Sequence, residues 1–210
     1  MAGGCAMKYC SLDIETTGLD ADVCDVLQFA AILDDFSQPK PLAKLPTLKI
    51  CFIKDEQLVG DAYALSMHQK ILLQIDRAKK LRLQEDEDGT RFMRLSELPE
   101  ALNGFLFANG WTPDPKTDRF YVNVAGKNAA GFDLPFLKRK IKKWGRVYLN
   151  QRVMDPAVLY FNPMNDSSLP DMQECMKRAG IQGEVAHTAT EDAMTVVRLL
   201  RGKFCKDAEF

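Results

Sequence analysis

Residues 8–14 and 26–33 are short apolar-rich runs, the first followed by a turn at Thr17-Gly18 and the second ended by Asp34-Asp35, and both predict strands. After a connection punctuated by Pro39, Pro41 and Pro46, residues 47–53 alternate Leu48, Ile50 and Phe52, which suits a third strand with one buried face. Short links between the three predict an antiparallel meander. Across 61–83 the period changes. Ala64, Leu65, Met67, Ile71, Leu72, Ile75, Ala78 and Leu81 recur at helical spacing, as one long helix or two short ones.

Glu85-Asp86-Glu87-Asp88-Gly89 reads as a solvated loop, with an acidic metal-binding role as the alternative. A helix is expected over 95–107, with Ser96 as its candidate cap and Asn109-Gly110 as its stop. The β-rich run 120–125 predicts a fourth strand. Beyond it the elements alternate: a helix over 134–144, a short strand near 147–153, and helices over 169–179 and 188–201. A meander followed by α/β units predicts a mixed sheet flanked by helices.

Composition narrows the functional classes. A length of 210 residues suits one well-filled core, and nothing demands a second domain. The opening Met1–Met7 has neither the basic nor the apolar region of a signal peptide, so residues 1–6 read as an added leader before a single domain over 7–210. A content of 46% hydrophobic and 27% charged residues, without an apolar run long enough to cross a bilayer, predicts a soluble protein with no membrane role. The six cysteines form no CxxC pair and no zinc-ligand spacing, which fits reduced thiols and a cytoplasmic location. A net charge of -1 argues against non-specific coating of nucleic acid. A local patch stands out at 138–146, where six of nine residues are basic; Lys142, Lys143 and Arg146 are its candidate phosphate contacts.

Three stretches carry the chemistry. In Ser11-Leu12-Asp13-Ile14-Glu15-Thr16-Thr17-Gly18-Leu19, strand alternation puts Asp13 and Glu15 on one face and Leu12 and Ile14 on the other. Adjacent anions repel, so such a pair usually faces a cation, here Mg2+ or Mn2+; a solvated edge strand is the alternative. The second stretch, 126–136, sets Asp133 at a strand-to-helix junction between Phe132 and Phe136, with Pro135 in the first turn of the helix; alone, Asp133 reads as an N-cap. In the third, Thr188 and Glu191 have capping-box spacing. His187 is thereby left outside the helix, and Asp192 lies one turn inside, where an anion is stabilised. Taken alone, this stretch is a capped surface helix with a stray histidine.

Taken in order, Asp13-Ile14-Glu15-Thr16-Thr17-Gly18, Asn128 to Asp133, and His187 with Asp192 resemble the three motifs of the DEDDh exonucleases. These are the 3'-to-5' exonucleases similar to polymerase proofreading subunits, ribonuclease T and oligoribonuclease. The resemblance implies an α/β, ribonuclease H-like fold: a five-stranded mixed sheet, antiparallel meander then parallel strands, flanked by helices. It further implies that Asp13, Glu15 and Asp192 hold one divalent cation, that Asp13 and Asp133 hold a second, and that His187 is the general base. Thr16, Thr17, Gly18 and Leu19 match the loop that cradles or wedges the terminal nucleotide. Asn128 is a candidate substrate contact, one residue farther from Asp133 than in many relatives. Asp155 resembles an aspartate that supports such sites through hydrogen bonds without binding metal. His68 is similar to a histidine near the substrate in some relatives, although its place in a helix reads as a surface histidine.

The implied substrate is a single-stranded DNA or RNA 3' end. Hydrolysis there brings an anionic nucleophile to an anion and expels an alkoxide, and two divalent ions can clamp both oxygens. Four carboxylates suffice to hold two ions with positions left open. An imidazole beside the water can accept its proton near neutral pH. Two other classes remain open: a non-catalytic nucleic-acid-binding or polymerase-associated module of the same fold, and a Mg2+-dependent nucleotide phosphohydrolase. Association with a second copy or with a polymerase is open as well.

Overall fold

The computed structural model describes residues 7–205; the leader expected at 1–6 lies outside the described residues. Strand β1 (Lys8–Thr16) pairs antiparallel with β2 (Val26–Asp35), with a bulge between Glu15 and Thr16. β2 pairs antiparallel with β3 (Thr47–Phe52), so the meander is present. Helices α1 (Ala62–Met67) and α2 (Gln69–Leu81) then cross over to β4 (Thr90–Met93), which lies parallel to β3. After α3 (Leu98–Ala108) the chain forms β5 (Phe120–Val122) and β6 (Val124–Ala125). The rear continues through α4 (Asp133–Lys140), β7 (Val147–Leu149), α5 (Pro156–Tyr160), α6 (Met172–Ala179) and α7 (Ala189–Phe204). The main sheet is five-stranded in the order β4-β3-β2-β1-β6, with β6 parallel to β1, and β5 and β7 form a separate parallel pair.

Several boundaries differ from those read off the sequence, each for a physical reason. The region 61–83 is two helices that meet at His68 (φ -94, ψ 23). Strand β4, absent from the sequence reading, follows the acidic loop: Asp86 accepts from the Thr90 and Asp88 amides and so turns the chain back onto β3. The single strand expected over 120–125 is broken at Asn123, whose carbonyl accepts from Cys10 N–H while β5 pairs with β7. The helix expected over 134–144 ends at Lys140, because Ile141 turns extended and buries its side chain. The basic run is therefore divided, with Lys142, Lys143 and Arg146 beyond the helix. Ser96 does not cap α3; a 3-10 turn, Leu95–Glu97, precedes it, with the Glu97 carboxylate accepting from Arg94 N–H.

Alternation along β1 and β2 separates two cores. Leu12, Ile14, Phe29 and Ala31 face one side, with Leu98, Leu102 and Leu106 of α3 and Leu134 and Leu137 of α4. Tyr9, Ala30 and Ile32 face the other, under Ala193, Val196, Val197 and Leu200 of α7. Each fully buried large side chain contributes about 1.5–3 kcal/mol relative to exposure, so these faces supply most of the stability.

Polar contacts set the register of α7 on the sheet. Ser11 Oγ donates to the Ala193 carbonyl at 2.8 Å. Twelve residues beyond the helix start, Arg201 donates to both oxygens of the buried Asp34 at 2.9 and 2.6 Å, and Tyr9 OH donates to the same carboxylate at 2.7 Å. Burial raises the Asp34 carboxyl, yet the bonds from Arg201 and Tyr9 outweigh it and hold it below its usual range. Removing one partner of such a buried pair leaves an uncompensated charge. Arg201→Met is expected to destabilise the protein by about 3–5 kcal/mol in equilibrium urea unfolding; a change as small as that of an exposed ion pair would show that Asp34 does not depend on this helix.

Candidate active site

Four carboxylates converge where β1, α4 and α7 meet. Asp13, Glu15 and Asp192 each present an oxygen, and the three oxygens lie within 4.8 Å of one another. Asp13 and Glu15 come from alternate positions of β1, on the α7 side of the sheet. Asp192 comes from the first turn of α7, whose start is fixed by Thr188: its Oγ1 caps the Glu191 amide at 3.4 Å and donates to the Glu191 carboxylate at 2.8 Å. Asp133 is the first residue of α4, not its cap. Its Oδ1 accepts from Ile14 N–H at 2.9 Å, which ties the helix start to the strand between the two β1 acids.

These acids hold their protons more tightly than free carboxylic acids do. Burial, then the charges of Asp133, Glu15 and Asp192, puts the Asp13 carboxyl well above its ordinary range. Glu15 is pushed up to about 8 by burial, Asp192 and Asp133. Burial raises Asp133 to about 7 despite the opposing Ile14 amide, and raises Asp192 to about 6 despite the nearby His187. Among the described residues no lysine or arginine pairs with any of the four. A hard dication with oxygen ligands fits this donor set, because it supplies the missing positive charge and leaves room for non-protein ligands.

His187 is exposed and sits just before Thr188 with a left-handed backbone (φ 53), which turns the chain out of the helix start. Its loop is clamped to α6 by Gln173, which donates to the Gly183 carbonyl at 3.0 Å and accepts from Val185 N–H at 3.2 Å. The sequence reading did not single out Gln173. His68 corrects an expectation: it is not a surface histidine but 3% exposed, with Nε2 3.3 Å from Glu15 Oε2. Its Nδ1 has no hydrogen-bond partner among the described residues. Burial, and then the charge of His187, keeps His68 below its usual value, so it is a neutral neighbour of the cage.

The loop after β1 is built into the protein on one side and open on the other. Thr16 Oγ1 donates to the Gly18 carbonyl at 2.7 Å. Thr17 donates to the Val59 carbonyl and accepts from Asp25 N–H at 2.8 Å, and its own carbonyl accepts from Asp61 N–H at 2.7 Å. A side chain on Gly18 would run into the Asp61 carboxylate and the Cys24 thiol, so glycine lets the loop lie against the start of α1. Leu19 is 82% exposed. In the second loop Asn128 is exposed with φ 56, and its amide N–H donates to Asp155 Oδ2 at 2.8 Å. Asp155 Oδ1 accepts from Ala157 N–H at 2.8 Å, so this residue joins the Asn128 loop to the start of α5. Lys142 and Lys143 are exposed, whereas Arg146 pairs with Asp118 and lies over the Phe120 ring.

No protein-family model matches the chain, and no curated protein does. Among solved structures, a moderately thermophilic Exonuclease I from Methylocaldum szegediense is similar to it, with a TM-score of 0.54 and 16% identity over 92% of this chain and 40% of that one. The chain thus spans about two fifths of that protein's length. This likeness shows the fold, an α/β ribonuclease H-like arrangement with a five-stranded mixed sheet flanked by helices. No helix among the described residues is long and apolar enough to cross a membrane.

The raised acids make a testable link to stability. Between the ordinary values of 3.8 and 4.5 and the folded values of about 6, 7 and 8, the folded chain binds more protons than the unfolded one. Stability of the metal-free protein therefore falls as pH rises through this window. Thermal melts in chelator should show a lower Tm at pH 8 than at pH 5.5, and Mn2+ should raise Tm more at pH 8. A Tm indifferent to Mn2+ at pH 8 would remove the case for a cation cage.

Proposed function

We propose that the chain is a DEDDh-type 3'-to-5' exonuclease that hydrolyses the terminal phosphodiester bond of single-stranded DNA or RNA and releases nucleoside 5'-monophosphates. One observation carries this reading: residues 13, 15, 133 and 192 come from three distant segments and meet in one acidic cage, with His187 at its rim. Fold likeness to an exonuclease supports it.

Asp13, Glu15 and Asp192 would hold one divalent cation and Asp13 with Asp133 a second, either Mg2+ or Mn2+. When bound, such ions polarise the phosphoryl group and stabilise charge on the attacking and leaving oxygens. The protein's own contribution is positioning and proton transfer. His187 takes the proton of the attacking water, and its exposed place outside the capped helix leaves the imidazole reachable by solvent and substrate. Leu19, projecting beyond the anchored Thr17-Gly18 turn, wedges against the terminal nucleotide. Asn128 and the exposed Lys142 and Lys143 contact the strand, and Arg146 joins them by exchanging Asp118 for phosphate.

A 3'-labelled and a 5'-labelled single-stranded oligonucleotide distinguish this reading from a binding module and from a nucleotide phosphohydrolase. Label should leave the 3' end first as mononucleotide, only with Mg2+ or Mn2+ present, and free nucleotides should be untouched. Asp13→Ala and Asp133→Asn should each nearly abolish release. Binding without release, or turnover of free nucleotides alone, would favour one of the other two classes.

His187→Ala should lower turnover by about 10²–10⁴, the contribution of a positioned acid–base group. Mn2+ affinity by calorimetry should be unchanged, since no ligand is removed. A variant with lowered Tm but full turnover per folded molecule would make His187 a support for the helix start instead.

A further inference from the structure

Ala189 is the first residue of α7 and is fully buried. The first amides of a helix have no partner inside it, and Thr188 satisfies the Glu191 amide, not that of Ala189. Ala189 N–H donates instead to Gln28 Oε1 at 2.9 Å, across 161 positions of sequence. Gln28 is itself buried, 7% exposed, and its place on β2 is directly opposite Glu15 on β1. One side chain therefore joins the strand position facing one acid of the cage to the helix turn that carries another, Asp192.

The amide is held from its other end as well. Gln28 Nε2 lies 3.7 Å from Cys51 Sγ, its cross-strand neighbour on β3. Burial pushes the Cys51 thiol up to about 12, so it keeps its proton and can donate to Gln74 Oε1 at 3.6 Å. Gln74 Nε2 in turn donates to Asp86 Oδ2 at 2.7 Å, in the acidic loop before β4. The row fixes the amide with its oxygen toward α7 and its nitrogen toward the thiol.

We propose that Gln28 is a positioning residue that sets the spacing between Glu15 and Asp192 and thereby the affinity of the cage for a divalent cation, which rests on the cation cage of the proposed exonuclease. Residues that orient ligands from behind typically change metal affinity 10–100-fold when lost. Without the tether, the start of α7 keeps the Ser11 bond to the Ala193 carbonyl but loses its hold on β2, so the turn from Ala189 to Asp192 can shift relative to Glu15 while the far end stays anchored at Asp34.

The test is calorimetric titration of Mn2+ into the metal-free full chain, without nucleic acid, with Tm recorded on each preparation. Gln28→Met, of similar length but lacking the amide, should bind 10–100-fold more weakly. Gln28→Glu keeps an acceptor for Ala189 N–H, and any negative charge it adds opposite Glu15 favours a cation, so it should bind at least as tightly as wild type. Gln28→Met leaves a buried N–H without a partner and can lose stability for that reason alone. The double variant Gln28→Ala with Ala189→Pro removes donor and acceptor together, and proline is accepted at the first helical position. It should recover stability yet still bind weakly. Wild-type affinity in Gln28→Met or in the double variant overturns the proposal whatever the Tm, as does an equal loss in Gln28→Glu. Wild-type binding abolished by Asp13→Ala but untouched at Gln28 overturns this proposal alone. A wild-type chain that binds no Mn2+ overturns the cation cage along with it.

Discussion

Mutual repulsion among four crowded carboxylates is the constraint to which the rest of the molecule answers. Each acid is raised above its ordinary range by burial, Asp13 and Glu15 further by the charges of the other acids, and no lysine or arginine among the described residues pairs with them. Left to itself, such a cluster would drive its elements apart. It is held because each acid is rooted in an element packed on a dry core: β1 inside the sheet between β2 and β6, α4 over Leu12 and Ile14, and α7 over Tyr9 and Ile32. Repulsion that the fold withstands is also what makes the cage selective for positive charge.

The backbone supports this with few but well-placed contacts. The Ile14 amide, between Asp13 and Glu15, is given to Asp133 rather than to solvent. Ser11, two residues before Asp13, is given to the Ala193 carbonyl, next to Asp192. Two elements that carry acids of the cage are thus bonded to the strand within a residue or two of those acids. Farther from the cage, Asp155 acts in the same way, holding the Asn128 loop and the start of α5 together.

The acids and the meander were legible because they follow local rules. Alternation places Asp13 and Glu15 on one face, and a capping box places Asp192 one turn into a helix. What escaped was non-local or short. β4 has only four residues, and its pairing with β3 depends on the crossover through α1 and α2. The split at Asn123 depends on which partner each half finds. The burial of His68 was readable in principle: it stands four residues after Ala64 and three before Ile71, within the apolar stripe that continues to Ile75 and Ala78. Its polar character outweighed its position. The structure restores the position and sets the ring against Glu15. Gln28 was hidden for a related reason, since a lone glutamine in an apolar strand signals nothing until the helix above it is known.

α7 runs against β1 like a rack on a rail. Its contacts fall in reverse order along the strand region, with Ala189 over the level of Glu15, Ala193 over Ser11, and Arg201 over Tyr9 and Asp34. From Ala189 to Arg201 the helix advances about 18 Å at 1.5 Å per residue. From Glu15 to Tyr9 the strand covers about 20 Å at 3.3 Å per residue. The two spans match end to end, twelve helical residues to six in the strand. Insertion or deletion of one residue in this span of α7 would turn one end by about 100° relative to the other, so either Asp192 or Arg201 would leave its partner. The ends of α7 are thus locked in phase, and the length of this helix belongs to the site as much as the acids do.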